Sequence, residues 1–202
     1  MKRASLTILA SAFAVLSLQA TGIAAAADKP AAASHGKPAV ELKGLDRLLA
    51  MEDMKNLRLT FCRSLDTHDW TALRATMSDD FSLYWTDTAG PNGAPTRAPI
   101  EMTGADKFVT FAQQILGQGK SIHICTMPQF EYVGKDRARA LWFINGYGQI
   151  GELSGLGYER LVDDYVRVNG KWLIQRAEAD IEVQSFTSAQ GTPVPAPQVP
   201  GK

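Results

Sequence analysis

The sequence predicts an α+β domain: a cone-shaped, curved, mostly antiparallel sheet with three helices on its N-terminal side enclosing a pocket. Two observations carry that expectation. Helical periodicity is confined to residues 45–117, interrupted by one short strand. From Ser121 to Val183 the chain instead alternates with a period of two, punctuated by turn signals. Helices gathered at one end of a long meander are the mark of α+β, and a curved sheet closed over by helices makes a cavity whose inward face alternates with its outward one.

The chain starts with Lys2 and Arg3, followed by an apolar run from Thr7 to Leu18 and small residues at Ala24–Ala27. That is the pattern of an export signal over 1–27, cleaved near Ala26 or Ala27. The run is short for a membrane span, which disfavours the alternative of an uncleaved anchor. Residues 28–40 are small, proline-containing and unpatterned, and read as a flexible linker. One domain is expected over 41–185, long enough to bury a core. Residues 186–202, with Pro193, Pro195, Pro197 and Pro200, read as a disordered proline-rich tail.

Within the domain, apolar residues at 45, 48, 49, 54, 57, 61 and 65 make a helical stripe, with Lys55, Arg58 and Arg63 off it. Asp66 ends that helix. Asp69 caps a second helix, whose face is Trp70, Leu73 and Met77 and which Ser78-Asp79-Asp80 stops. Phe81–Trp85 alternates as a strand. Residues 89–99, rich in proline and glycine, form a loop. Thr103-Gly104-Ala105-Asp106 resembles a capping box and opens a third helix carrying Phe108, Phe111 and Ile115. Strand segments follow over 121–133, broken at Pro128, then 138–150, 156–168 and 171–183. Asn169-Gly170 is a two-residue hairpin signal between the last two.

Charge excludes one partner class. Lys+Arg and Asp+Glu number 21 each, with no basic stripe, so nucleic acid is not an expected partner. The two cysteines, Cys62 and Cys125, both lie in apolar segments. They read as buried free thiols by default, with export permitting one bridge between them.

His123 is the first candidate for chemistry. It lies mid-strand in Ser121-Ile122-His123-Ile124-Cys125, sharing a face with Cys125 and Met127. Imidazole is a serviceable base near neutral pH when something orients it. Asp66, at the helix edge four residues after Cys62, is the candidate orienter. Against these stand plainer readings: a packed or surface histidine, and a solvated acid at a helix end. Trp85, Trp142, Phe143, Tyr147 and Tyr158 could line an apolar pocket, although strand aromatics are more often core. Gly146-Tyr147-Gly148-Gln149-Ile150-Gly151 spells a dinucleotide-binding fingerprint, but no helix follows it, so a hairpin turn or bulge is the better reading. No Cys/His cluster has metal-ligand spacing, and no serine elbow is present.

Together the helix ending in Asp66, the Asp69-Trp70 start, the Ser78-Asp79-Asp80-Phe81 strand opening, the Gly104 helix, the strand His123 and the closing Gly170-Lys171-Trp172-Leu173-Ile174-Gln175-Arg176 segment resemble the SnoaL-like domain. That domain is a branch of the nuclear transport factor 2-like superfamily, and the resemblance spans most of residues 45–183. Within it, the chain is similar to the branch of scytalone dehydratase and lindane dehydrochlorinase, which use an Asp–His pair. The resemblance places that pair on Asp66 and His123, and the dehydrochlorinase arginine on Arg176. There are departures. The dehydratase's tyrosines fall near Leu65 and Trp85, and the dehydrochlorinase's lysine falls on Phe61. In ketosteroid isomerases, which share the fold, a helix tyrosine falls on Phe61 and the base on Trp85.

The expected function is an exported, cofactor-independent lyase or isomerase acting on a small, mainly apolar molecule, periplasmic or secreted. His123 would take a proton from carbon and Asp66 would hold the ring. Cys62, Trp85, Cys125, Trp142, Tyr158 and Arg176 would contact the substrate. No metal, cofactor or membrane contact after signal cleavage is expected, and family analogy suggests a homodimer. The alternative is a non-catalytic domain that binds an apolar ligand, or a partner through its sheet.

Overall fold

The computed structural model describes residues 40–195; the expected signal segment and the expected linker up to residue 39 lie outside the described residues. Helix α1 runs Gly44–Thr67 and α2 runs Trp70–Ala75. Strand β1 (Met77–Asp87) and the short β2 (Ile100–Thr103) follow, then α3 (Ala105–Leu116). The remainder is β3 (Lys120–Cys125), β4 (Gln129–Val133), β5 (Arg137–Ile150), β6 (Leu153–Val168), β7 (Lys171–Thr187) and β8 (Pro193–Val194).

These eight strands form one mixed, unclosed sheet in the order β2-β1-β7-β6-β5-β3, with β4 also on β5 and β8 on β7. Only β1 and β7 pair in parallel; the other pairings are antiparallel. This is the cone expected of the fold, with the helices on its concave side. Its core includes Met54, Phe61 and Leu65 of α1, Phe81, Phe108, Trp142, Leu161 and Ile174.

Local chemistry explains the joints. His68 caps the C-terminus of α1 in the left-handed region at φ 58°, and its N–H donates back to Leu65 O. The Asp69 carboxylate accepts from Ala72 N–H at 2.9 Å, as an N-cap should. Asn169 and Gly170 both have positive φ, which closes the β6–β7 hairpin.

Several boundaries differ from the sequence reading. Strand β1 begins at Met77, so Ser78-Asp79-Asp80 belong to a strand rather than to a helix stop. The loop before α3 ends in β2, an edge strand too short to show a period. No side chain caps α3; Gly104 holds that position. Strand β7 continues through Thr187 and pairs with Pro193-Val194, so the expected disordered tail begins with paired backbone. Along α1, Leu45, Leu48 and Leu49 are exposed, whereas Arg58 is buried at 2% exposure. The buried positions Met54, Arg58, Phe61, Cys62 and Leu65 form the real stripe.

The expectation of free thiols is corrected: Cys62 is disulfide-bonded to Cys125. The reason is a match of pitch. Helix α1 packs antiparallel on β3. Four helix residues advance about 6 Å and two strand residues about 6.6 Å. With Asp66 opposite His123, Cys62 therefore falls opposite Cys125. Spacing along the chain could not reveal this, because 63 residues separate the two.

Candidate active site

The site is built where the last turn of α1 meets the first half of β3. Asp66 is gripped on both carboxylate oxygens. Oδ2 accepts the backbone N–H of His123 at 2.9 Å, and Oδ1 accepts the Ser121 hydroxyl at 2.8 Å and lies 2.6 Å from His123 Nδ1. Burial alone would raise the Asp66 carboxyl, but the hydrogen bonds from the His123 ring, the His123 backbone and Ser121 outweigh it and hold the group below its ordinary value. An ionised Asp66 accepts hydrogen bonds only, so the proton on the ring sits at Nδ1. Nε2 is left as the basic nitrogen, on a ring that lines the cavity.

That cavity has two chambers. The inner one, about 150 Å³, is walled by Phe61, Leu65, Phe81, Phe108, Phe111 and Leu161, with Arg58 among its polar groups. The outer one, about 260 Å³, opens between β5, β6 and the end of α3. Trp85, Ile115, Leu116, His123 and Glu159 line both, and so mark the boundary between them.

Strand register explains what faces inward. One inward row reads Cys125–Ile144–Glu159–Ile181, the next His123–Gly146–Gly157–Gln184, and the third Ser121–Gly148–Gly155–Phe186. Two cross-strand glycine pairs thus sit beside His123. A Cβ on Gly146 would lie 3.8 Å from His123 Cδ2. Two of the three glycines that spelled a nucleotide fingerprint are therefore cavity floor. Gly146 and Gly148 remove side chains where the outer chamber needs space, and only Gly151, at φ 58°, makes the turn.

The sequence-predicted residues divide. Asp66, His123, Cys62 and Trp85 come together, Asp66 behind the ring and the other three on the cavity wall. Cys125 is tied up with Cys62 and does not line a chamber. Trp142 points inward but lies beneath the cavity, 1% exposed, with its Nε1–H donating to the Tyr165 hydroxyl at 2.9 Å. Tyr158 is on the outer face and 48% exposed, because its neighbour Glu159 takes the inward position. Arg176 is also outward, 3.5 Å from Glu178. It shares parity with Ile174, but a register shift in the β6–β7 pairing turns Ala177 inward instead.

Three charged groups around the cavity escaped the sequence reading. Arg58 donates from Nε to Asp163 Oδ2 at 2.8 Å and pairs with Asp163 Oδ1 through Nη2. The Tyr165 hydroxyl donates to Asp163 at 2.7 Å, which joins Trp142 to the same buried network. Its signal was available: Arg58 stands four residues from both Met54 and Cys62. Arg97, from the proline- and glycine-rich loop, stacks over Trp85 at 4.6 Å with Nε 3.5 Å from Asp87 Oδ2. Burial lowers its pKa, and Asp87 and Glu159 partly offset that. Glu159 projects into the cavity from β6. Burial raises its carboxyl above the ordinary value, against the pull of His123, Arg58 and Arg97. Neither Arg97 nor Glu159 carries a local sequence signal. Among the described residues, no group of three His, Cys, Asp or Glu side chains is placed to hold a metal ion.

Comparison with known proteins adds to this geometry. A candidate scytalone dehydratase from Novosphingobium aromaticivorans superposes with a TM-score of 0.57 at 17% identity, covering 75% of this chain and 97% of that one. A type 3 hexachlorocyclohexane dehydrochlorinase from Novosphingobium barchaimii gives 0.58 at 20% identity, over 76% and 99% of the two chains. The beta subunit of a candidate aromatic-ring-hydroxylating dioxygenase from Novosphingobium aromaticivorans gives 0.56 at 12% identity, over 73% and 98%. Likeness at these identities is likeness of fold. A comparison with curated proteins found no match. The SnoaL-like domain matches residues 46–178, from the first turn of α1 to the middle of β7 and across both Asp66 and His123, and the chain belongs to that family within the nuclear transport factor 2-like fold.

Proposed function

We propose that the protein is an exported, cofactor-independent lyase or isomerase that removes a proton from carbon in a small, mainly apolar molecule. One observation carries this reading: Asp66 is fixed by three hydrogen bonds and turns His123 so that Nε2 is free at an apolar cavity. In this reading Nε2 takes the proton, and Asp66 holds Nδ1–H and stabilises the imidazolium that forms. Orientation of an imidazole by a carboxylate follows the logic of hydrolytic triads. The aromatic walls keep bulk water away from the transferred charge and strengthen each interaction inside. Membership of a family whose fold is shared by a candidate dehydratase and a dehydrochlorinase supports the lyase class. The Cys62–Cys125 bond supports export, because such bonds persist in oxidising compartments.

The test is deuterium exchange beside the carbonyl of small cyclic ketones in D₂O, followed by proton NMR. The wild type should accelerate exchange, and His123→Ala should reduce it to the buffer rate. No acceleration on any ketone of a size to fit would favour a second reading, a non-catalytic docking domain. That reading draws on the outer sheet face, where Ile122, Ile124, Phe143, Tyr158 and Val183 are all exposed on neighbouring strands. A second copy of the chain would dock there, and sedimentation would detect it.

A further inference from the structure

Asp66 and His123 occupy the β3 end of the cavity; at the β1 end stands a cation whose donors go unused. Arg97 comes from the loop between β1 and β2 and lines the outer chamber. Two neighbours fix it. The guanidinium lies over the Trp85 ring at 4.6 Å, which holds it against the wall, and its Nε edge faces Asp87 Oδ2 at 3.5 Å. Asp87 is itself held, accepting from Gln184 Nε2 at 2.7 Å and from the Ala89 N–H at 3.2 Å. A guanidinium turned by its Nε edge toward one carboxylate leaves the edge with its two Nη groups for another acceptor. Among the described residues no acceptor takes either Nη. Arg97 Nε and the Trp85 Nε1–H also lack hydrogen-bond partners and are sealed from solvent, so this wall holds more donors than acceptors. Donors left without acceptors in a folded protein are costly and rare.

The chamber around that wall fits one kind of occupant. Arg97 is the lone Lys or Arg among the described residues that line it, so one positive charge is on offer, on a planar fork. Glu159 stands across Ile181 from Asp87 on the inward row, about 10 Å away between backbones. Glu159 and Arg97 form no ion pair with one another among the described residues, which leaves room for a group between them. Burial favours the proton-bearing form of Glu159, so an anion at Arg97 meets a hydrogen-bond donor there and not a second carboxylate. Ile115, Leu116, Ile150, Leu153 and Phe186 supply apolar wall for the rest of such a ligand.

We infer that Arg97 is an anion fork, and that the outer chamber takes the carboxylate of an organic acid whose apolar body reaches over the glycine floor toward His123 and the inner chamber. Nη1 and Nη2 donate side by side to the two carboxylate oxygens, the pairing for which the guanidinium fork is shaped. Trp85 and Asp87 are positioning residues: they hold the fork and do not touch the acid. The inference goes beyond the lyase reading. It concerns binding alone, and so stands whether or not His123 takes a proton.

The test compares acids with their own amides on the full chain at constant ionic strength. The acids are acetate, cyclohexanecarboxylate and 2-naphthoate; the amides are acetamide, cyclohexanecarboxamide and 2-naphthamide. Calorimetry gives each affinity. Nitrogen-15 NMR follows the Arg97 Nε–H signal, assigned by its loss in Arg97→Lys. At least one acid should bind about tenfold or more tightly than its amide, the scale of a hydrogen bond to a charged group, and should move the Arg97 signal. Arg97→Gln should bring the ratio of acid to amide affinity to about one. Arg97→Lys keeps the charge without the fork and should retain part of the preference. Circular dichroism controls for folding. Equal binding of acid and amide overturns the proposal, as does an acid preference that survives Arg97→Gln or leaves the Arg97 signal unmoved. No binding by any of the acids overturns it too. Tighter binding of 2-naphthylmethylamine than of 2-naphthoate also overturns it, and assigns the chamber to cations through Glu159 and Asp87. None of these results bears on the ketone exchange assay, so failure here leaves the His123 reading intact.

Discussion

Replacing Asp66 by asparagine changes one atom and should reverse the chemistry of the ring beside it. The carboxylate offers two acceptors, and they take up the Ser121 hydroxyl, the His123 N–H and Nδ1–H. An amide has one acceptor oxygen and one donor NH₂. An amide oxygen at the Oδ2 position keeps the backbone contact, which puts the NH₂ at the Oδ1 position, facing Nδ1 and the Ser121 hydroxyl. Nδ1 must then accept, so the ring proton moves to Nε2 and the nitrogen at the cavity ceases to be a base. The charge that stabilises imidazolium at 2.6 Å is lost as well. We expect Asp66→Asn to lower kcat/KM for ketone exchange by about 10²–10⁴-fold, a loss of about 3–5 kcal/mol at 1.36 kcal/mol per decade. Because the pair acts as a unit, Asp66→Asn combined with His123→Ala should be little worse than the worse single variant. Nitrogen-15 NMR of the imidazole reads the tautomer directly, and circular dichroism controls for folding. An unchanged tautomer with unchanged turnover would refute the reasoning, and so would strictly additive losses. The pH dependence has a definite sign. The folded-state pKa of Asp66 is depressed, so the stability it contributes is present above the unfolded value, near ~4. That stability is lost as pH falls through the folded value. In urea titrations the advantage of wild type over Asp66→Asn should shrink below about pH 4.

Other consequences follow from the same structure. Arg58→Met leaves Asp163, 0% exposed, with the Tyr165 hydroxyl alone among the described residues; it should cost about 3–5 kcal/mol in thermal or urea unfolding, and a cost below about 1 kcal/mol would contradict the buried pair. Gly157→Val puts a branched side chain on the floor of the outer chamber, where its Cβ meets only Val183 O at 3.9 Å. The fold should hold, while KM for ring ketones rises about tenfold or more, the scale set by a methylene or two in an apolar pocket; an unchanged KM would place the ligand elsewhere. Cys62→Ala with Cys125→Ala opens a covalent loop whose ends are 63 residues apart and should cost about 2–4 kcal/mol. The wild type, produced in an oxidising compartment, should show no free thiol in a denaturing thiol assay, and two reactive thiols would rule out the bond.

Sequence and tertiary structure decided different things here. Local patterns carried the element types, because helical and strand periods are properties of neighbouring side chains: the α1 segment, the Asp69 cap and the Asn169-Gly170 hairpin were all legible. Family resemblance pointed to Asp66 and His123. What the chain alone could not fix is parity. A single shift in strand register moves every later side chain to the other face: one such shift between β6 and β7 turned Arg176 outward, while the β5–β6 register, with Glu159 opposite the inward Ile144, set Glu159 and not Tyr158 in the cavity. Pairing across distance was equally hidden. The disulfide, the Arg58–Asp163 network and the Gly146–Gly157 floor each join residues whose meeting depends on α1 lying antiparallel on β3 and on the order of strands in the sheet. Those are consequences of packing, in which residues far apart in the chain become neighbours only once the whole sheet has curved around its helices.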